Sequence, residues 1–421
     1  MNKTGKNSLT PKRVDIGLLP IDAALSLRHL PGFLFFDSSN GAQEFSNKGS
    51  LSIIGALPDY TITGDINDDY EQLLTSYNED GESNHHIDCG FPVGGLFGHF
   101  TFDGKYHFGK YSKLLVYLHD QNEWFDVGGL SDLISSGSIQ SCQSAKIQFC
   151  EGLGEKAFCS MVKKAKDYIA AGDIYQVNLS QRFAANWPEG KDPFDLFLKL
   201  RECSPAPFSA FYEINDQTII SSSPECFLNM SGPGVVTRPI KGTRPRFNDP
   251  GEDERSAAEL MTSPKEISEL VMITDLERND LGKVCEYGSV RVTELLKLEK
   301  FAQVFHLVSS VEGRLNDKNN HLSALMACFP GGSISGAPKC RALEIINELE
   351  IHPRNIYTGS IGYFGINGES QFSIAIRTAY LQGARLFLHA GSGIVADSDP
   401  ELEYQETLHK ASGFFQAASS F

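Results

Sequence analysis

Long apolar runs are missing from this chain. No stretch approaches the roughly 20 consecutive apolar residues that a membrane-spanning helix needs, so a helical membrane protein is excluded. Near the start, Lys3, Lys6, Lys12 and Arg13 supply positive charge, but Asp15 and Asp22 interrupt the hydrophobic stretch that a secretory signal requires. A cytoplasmic location without membrane association is the expectation. Nine cysteines, an odd number with no C-x-x-C spacing, match reduced thiols rather than a disulfide framework or a zinc site. Most of them are expected to be buried small hydrophobes. Basic charge is also scarce. A formal net charge of −16 argues against nucleic acid as a partner, because counterion release needs a basic surface. An anionic substrate would therefore need a locally basic pocket or a metal. Repeats and long low-complexity tracts are absent as well.

What is present is an ordinary globular composition, 421 residues with 41% hydrophobic and 21% charged, enough for two domains or one large layered one. To about residue 150 the chain reads as short strands and turns: "FLFFDSS", "LSIIGAL", "DYTITGDI", "GGLFGHFTFDG" and "LLVYL". The polar, small-residue stretch "SSGSIQSCQSAKIQ" marks a seam between a unit of residues 1–150 and one of 151–421, closely packed together. Beyond it, "EKAFCSMVKKAKDYIAAGDIYQVNLSQRF" predicts an amphipathic helix, a stop at Gly172 and an apolar strand. Helix and strand signals then mix without strict βαβ alternation. The fold class predicted is α+β, with stacked antiparallel sheets flanked by helices.

Three stretches carry chemistry. In "PIKGTRPR", proline and glycine shape a turn around Lys241 at the end of a predicted hairpin strand. "SPKEISELVMITDLERNDLG" predicts a helix with Ser263 as N-cap, Pro264 at its first position and Gly282 as its stop. Ile267, Leu270, Val271 and Thr274 form its expected buried stripe, with Glu266 and Glu269 three apart on the flank. "SDPELEYQETLHKASGFF" predicts a second helix with Tyr404, Leu408, Ala411 and Phe415 inward, and Glu403 and Glu406 again three apart. Glu266 also completes a Ser-x-x-Glu capping box, but like charges at this spacing bring a helix no local benefit. Two facing pairs would supply oxygen ligands for a hard cation such as Mg²⁺. The third stretch, "FPGGSISGAPKCRALEIINELE", has the glycine spacing of a phosphate-binding loop, but Ala337 and Pro338 follow Gly336 where that motif has lysine and Ser/Thr. An ATPase reading is poor, while carboxylate or phosphate binding stays open beside the plainer reading of a capped helix start.

Taken in order, "IYQVNLSQRF", "RPIKGTRPR", "KEISELVMITDLERNDLGKV", "PGGSISGAPK", "YTGSIGYFG", "SIAIRTA" and "GSGIVADSDPELEYQET" resemble the chorismate-utilising enzymes across roughly residues 155 to 415. "SIIGALPDY" and "GGLFGHFTFDG" resemble the family's N-terminal part. The resemblance implies stacked antiparallel sheets with helices outside and Mg²⁺-dependent chemistry on chorismate. It implies Glu269 and Glu406 as direct metal ligands, with Glu266 and Glu403 holding metal-bound waters. Arg377, Tyr357 and backbone N–H near Gly393 resemble the family's carboxylate-binding groups, and Lys339, with Gly336 and Ala337 of its loop, resembles a pocket for the pyruvyl carboxylate. Gly242 and Thr243 correspond to groups along the substrate near the departing C4 hydroxyl, and His306 to a histidine near the reacting ring.

Two positions separate the branches of the family. Members that add water carry a lysine base where this chain has Gln176, and glutamine cannot take a proton. Anthranilate synthases read Pro-Ile-Ala-Gly-Thr where this chain has Lys241, as in the aminodeoxychorismate synthases. That likeness implies lysine attack at C2, ammonia attack at C4, and 4-amino-4-deoxychorismate, a precursor of 4-aminobenzoate and folate, as product. Arg244 is the expected cationic neighbour of the lysine. No glutaminase cysteine motif is evident, so a separate glutamine amidotransferase subunit is the expected ammonia source. The alternatives are an anthranilate synthase component and a catalytically silent regulatory or binding subunit. His99 and Glu277 depart from the family pattern, and no tryptophan site is assigned.

Overall fold

The computed structural model describes residues 9–38, 50–78, 89–134, 146–150, 152–301 and 304–421. Most of the predicted seam, residues 135–145, lies outside them. Among the described residues, two large sheets of eleven and ten strands carry the fold, and every strand pair within them is antiparallel. The predicted N-terminal strands appear at Leu34–Asp37, Leu51–Gly55, Tyr60–Asp65, Gly95–Phe100 and Leu114–Leu118.

In each sheet the strands from before residue 150 form one block that joins the later strands edge to edge. Leu34–Asp37 pairs with Phe208–Ile214 in the first sheet, and Gly95–Phe100 pairs with Ser360–Gly365 in the second. The two halves therefore share their sheets rather than forming separate cores. Phe97, Tyr111, Val116, Ala210, Tyr212, Ile219, Tyr363 and Tyr380 form a core drawn from both sheets. The first sheet also packs against helices Pro193–Cys203 and Pro400–Ser419 through Phe35, Phe194, Phe197, Phe211 and Phe414. Around the second, Phe108, Met230, Phe364 and Phe372 meet Leu281 of helix Pro264–Gly282 and Leu325 of helix His321–Cys328. Burying such side chains is the main stabilising term, about 1.5–3 kcal/mol each.

Both glutamate-bearing helices fall where the caps predict. Ser263 accepts from the Glu266 amide, and Asp399 accepts from the amides of Glu401 and Leu402. Their inward faces match the predicted stripes in part, with Leu270, Thr274, Tyr404 and Ala411 buried as expected. Val271 is exposed, while Glu269, Leu270, Ile273, Thr274, Glu277, Asp280 and Leu281 are buried. On the second helix Glu403, Tyr404, Thr407, Ala411 and Phe414 turn inward, with Leu408 and Phe415 half-buried. Apolarity alone misplaces these faces because the helices bury carboxylates. Cysteine burial also differs from expectation: Cys159, Cys226, Cys285 and Cys328 are buried, whereas Cys150 and Cys340 are exposed. No described helix is long and apolar enough to cross a membrane.

Arg238 fixes the strand that leads to Lys241. Buried between sheet strands, it donates to Glu299 and, through Nε, to Ser310 Oγ at 3.1 Å. Removing one partner of a buried ion pair strands the other, at a cost of about 3 kcal/mol or more. Arg238→Ala is expected to lower the unfolding free energy by about that amount in urea titrations monitored by circular dichroism.

Candidate active site

The strand Ile240–Pro245 pairs with Val304–Arg314, and a bulge interrupts the register between Lys241 and Thr243. The stretch read as a shaped turn is thus a bulged edge strand. Gly242 has φ +71, and a methyl group there would press to 2.5 Å from Leu260 Cδ1 and 3.1 Å from Glu266 Oε2. Only glycine allows both the left-handed conformation and this approach. A bulge re-aims the neighbouring side chain, and Lys241 Nζ donates to the Ser333 carbonyl at 3.1 Å. Ser333 belongs to the glycine-rich stretch, which is thereby brought to the lysine.

Lys265 links three of the four glutamates: it bonds Glu403, and its field reaches Glu269 and Glu406. Glu403 is 2% exposed; its Oε1 accepts from Lys265 Nζ at 3.0 Å and Ser398 Oγ at 2.6 Å. Glu406 pairs with Lys410 at 2.6 Å, and Glu266 with Arg244 at 3.6 Å. Glu269 lies beside Gly393, where a methyl group would sit 3.7 Å from its Oε2 and 2.6 Å from Gln176 Nε2. Burial raises the Glu269 pKa against the opposing fields of Lys241 and Lys265. Glu406 goes the other way: burial pushes it up, but Lys410, Lys265 and Lys241 together hold it below the usual range.

Do these carboxylates suit a metal? Among the described residues no three His, Cys, Asp or Glu side chains already converge as a cation cage. Buried Glu269 Oε1 and Glu403 Oε2 nevertheless lack any hydrogen-bond partner among the described residues. Such oxygens need a donor or a cation. Mg²⁺ takes only one or two carboxylates directly and keeps waters on its other positions, so the donor set fits it.

Across the lysine strand, buried His306 directs Nδ1 at Thr243 Oγ1, 3.1 Å away, and at the Gly242 carbonyl, 3.4 Å away. Burial, followed by the field of Arg377, takes its pKa down to about 3, so the ring is neutral near pH 7. Arg377 has φ +48 and forms no ion pair among the described residues, and burial lowers its pKa too. An unpaired guanidinium is a ready fork for a carboxylate. Tyr357, also buried, stacks on His389 with ring centroids 5.4 Å apart.

Two sequence-predicted groups are used differently. The Lys339 ammonium is committed to Asp280 at 2.6 Å and to the Cys328 carbonyl at 2.9 Å. Asp280 lies eleven positions beyond Glu269 on one helix, about 16 Å along its axis, so the structure does not bring Lys339 to the glutamates. Gly336 and Ala337 pair with Val177 and Gln176, which places the loop against the strand of Gln176 instead of leaving an open anion cradle. Arg244, expected beside Lys241, pairs with Glu266.

Two groups escaped the sequence reading. Lys410 donates to Glu406 and, at 3.1 Å, to the Gly391 carbonyl; its position four residues after Glu406 was the legible signal. Glu225, in "SSSPECF", is buried, and burial raises its pKa against the opposing influence of nearby Ser333 and Lys241. No spacing rule points to it.

Facing carboxylates, an amine on a bulged strand and an unpaired arginine define an enzyme-like site for a small carboxylate-bearing substrate. Residues 117–416 match the family of chorismate binding enzymes, and the chain belongs to that family. Over 263 residues it is 47% identical to aminodeoxychorismate synthase component 1 of Bacillus subtilis, covering 62% of this chain and 56% of that protein. Over 285 residues it is 46% identical to anthranilate synthase component 1 of Synechocystis sp., covering 65% and 56%. The chain thus spans just over half the length of these relatives, and the two names are equally near. Anthranilate synthase component I from Streptococcus pneumoniae superposes with a TM-score of 0.79 at 30% identity, over 96% of this chain and 99% of that one. The menaquinone-specific isochorismate synthase MenF of Escherichia coli shares the fold, with a TM-score of 0.78 at 17% identity over 97% and 94%.

Glu277 yields a pH prediction. It is 6% exposed, accepts from Thr237 Oγ1 at 2.5 Å, and burial raises its pKa from 4.5 to about 8. Between those values the native state holds a proton that the unfolded chain releases, so stability falls as pH rises from about 4.5 to about 8 and levels off above. Glu277→Gln keeps an acceptor for Thr237 without the charge. Thermal scans are expected to show the variant gaining stability relative to the parent as pH rises, by on the order of a few kcal/mol at pH 8.

Proposed function

We propose that the chain is an aminodeoxychorismate synthase subunit, aminating chorismate at C4 with ammonia from a glutamine amidotransferase partner. The observation that carries this reading is Lys241, aimed by the Gly242 bulge into the space beside Glu269. The lysine amine attacks C2, the two conjugated ring double bonds shift round the ring to C1=C6 and C4=C5, and the C4 hydroxyl leaves. Ammonia then attacks C4, both double bonds shift back, and the C2–N bond breaks to return the lysine. Ammonia loses one proton and the departing hydroxyl gains one, so the products are 4-amino-4-deoxychorismate and water.

Each neighbour has a part in this reading. Glu225, holding its proton to higher pH than an exposed carboxyl, hands it to the leaving hydroxyl and recovers one from the incoming ammonia. Arg377 and Tyr357 hold carboxylate oxygens, joined by backbone N–H near Gly393. Lys410, which lies with Glu406 and Tyr357, takes the carboxylate role that the sequence assigned to Lys339. Thr243 and His306 line the substrate near C4. Glu269 and Glu406 would hold Mg²⁺, with Glu266 and Glu403 on its waters, and the ion would supply positive charge for the ring carboxylate and the leaving oxygen. Gln176 offers no base, which argues against water addition. Folate precursor supply in the cytoplasm follows as the biological setting.

The equal similarity to anthranilate synthase components keeps C2 amination with pyruvate loss as a second reading. Purified chain given chorismate, Mg²⁺ and ammonium is expected to form a product that retains pyruvate and carries nitrogen on C4, by mass spectrometry and NMR. Anthranilate would establish the second reading instead, and no turnover would favour a silent regulatory subunit. Lys241→Ala is expected to lose C4 amination by about a hundredfold or more; full activity in that variant, with no lysine adduct trapped in the parent, would sink the nucleophile role. Chelation is expected to abolish turnover, with Mg²⁺ restoring it and Glu269→Gln needing far more of the ion.

A further inference from the structure

Behind Tyr357 lies a second feature with its own chemistry. The strand Gln176–Asn186 pairs with Arg385–Ile394 on one side, while on its other side, among the described residues, Gly336 and Ala337 pair with Val177 and Gln176 and the Cys150 amide donates to the Ala184 carbonyl. On that side, the Asn178 carbonyl accepts from Arg354 and the Ser180 amide donates to Glu350, both at 2.7 Å. Next to this capped edge is a small cavity whose walls include Met161, Ser180, Arg182, Glu350, His352 and His389. It has room for about one water-sized molecule, which excludes chorismate, glutamine and phosphate. Half-buried His352 and exposed Ile351 stand at its outer end.

His389 is the unusual wall. It is 2% exposed, and neither Nδ1 nor Nε2 has a hydrogen-bond partner among the described residues. A buried imidazole with two bare nitrogens is costly unless something small completes it. Burial, followed by the fields of Arg354, Arg182 and His352, keeps it neutral, and a neutral ring presents one N–H and one lone pair. Glu350, the acidic group on the cavity wall, is already tied to Arg354 and Ser180. Inward, the ring stacks on Tyr357. The Tyr357 hydroxyl in turn fills the space over Gly391, where a methyl group would come within 2.7 Å of it. The Gly391 carbonyl is bound by Lys410, the partner of Glu406. A chain of contacts through His389, Tyr357, Gly391 and Lys410 therefore links the cavity to Glu406.

We propose that this cavity is a staging site for the ammonia consumed at Lys241, entered past His352 and left alongside Tyr357. The inference rests on the amination reading above. Its chemistry selects the neutral nucleophile: the His389 lone pair accepts an ammonia N–H, while Arg182 and Arg354 disfavour ammonium, whose proton stays in the solvent outside.

Steady-state kinetics with ammonium chloride as the nitrogen source test it in the full chain. His389→Phe keeps a ring against Tyr357 but removes the acceptor, and His352→Trp obstructs the entrance from a half-buried position that the fold tolerates. Each is expected to lower kcat/KM for ammonium about tenfold, as the loss of one hydrogen bond would, with the KM for chorismate within twofold of the parent. Should His389→Phe fail to fold, His352→Trp carries the test alone. Parental kcat/KM for ammonium in the folded variants, or a change confined to chorismate KM, overturns the staging site. A parent chain that places no nitrogen on C4 overturns the amination reading instead, so the two failures are distinguishable.

Discussion

The site depends on bringing two acidic helices together against their own repulsion. Glu269 and Glu403 are both buried, and carboxylates taken out of water are costly unless cations or donors accompany them. Lys265 does part of this work from the first helix, reaching Glu403 on the second while its field acts on Glu269 and Glu406. Lys410 does the same within the second helix, and Lys241 adds its field from the strand. Even so, one oxygen each of Glu269 and Glu403 stays without a partner among the described residues, and this unsatisfied remainder is what gives a cation a reason to bind.

The sheets make that convergence possible. Lys241 arrives on an edge strand of the second sheet and Gly393 and Gln176 on paired strands of the first, while helix Pro264–Gly282 packs on the second sheet and helix Pro400–Ser419 on the first. In each sheet the strands from before residue 150 form one block that joins the later strands at a single pair, so the two halves share continuous sheets. Arg238 anchors the approach to Lys241 from below, and Gly242 releases its side chain inward. Rigidity upstream and a local break at the bulge are complementary requirements: the first sets where the lysine starts, the second where it points.

Much of this was legible from residue types. The Ser263 cap located the first helix and the pattern "SDPELEYQETL" the second, glycine and aspartate punctuation located the N-terminal strands, and ordered motifs identified the family. The buried faces were not legible, because hydrophobic periodicity assigns Val271 inward and Glu269 to the flank, whereas the helix turns its carboxylates to the protein. Lys339, read as a lysine for the pyruvyl carboxylate, pairs with Asp280, a partner its loop does not reveal because it comes from a helix far earlier in the chain.

The sequence by itself determined the fold class, the chorismate-binding family, the spacing of the glutamate pairs and the presence of lysine at position 241, since each depends on local pattern. Only the tertiary structure decided which lysine joins the glutamates, that Glu225 is a buried carboxyl beside Lys241, and that His389 borders a one-molecule cavity behind Tyr357. Those outcomes depend on contacts between residues distant in the chain, where burial and the fields of neighbouring charges set what a side chain can do.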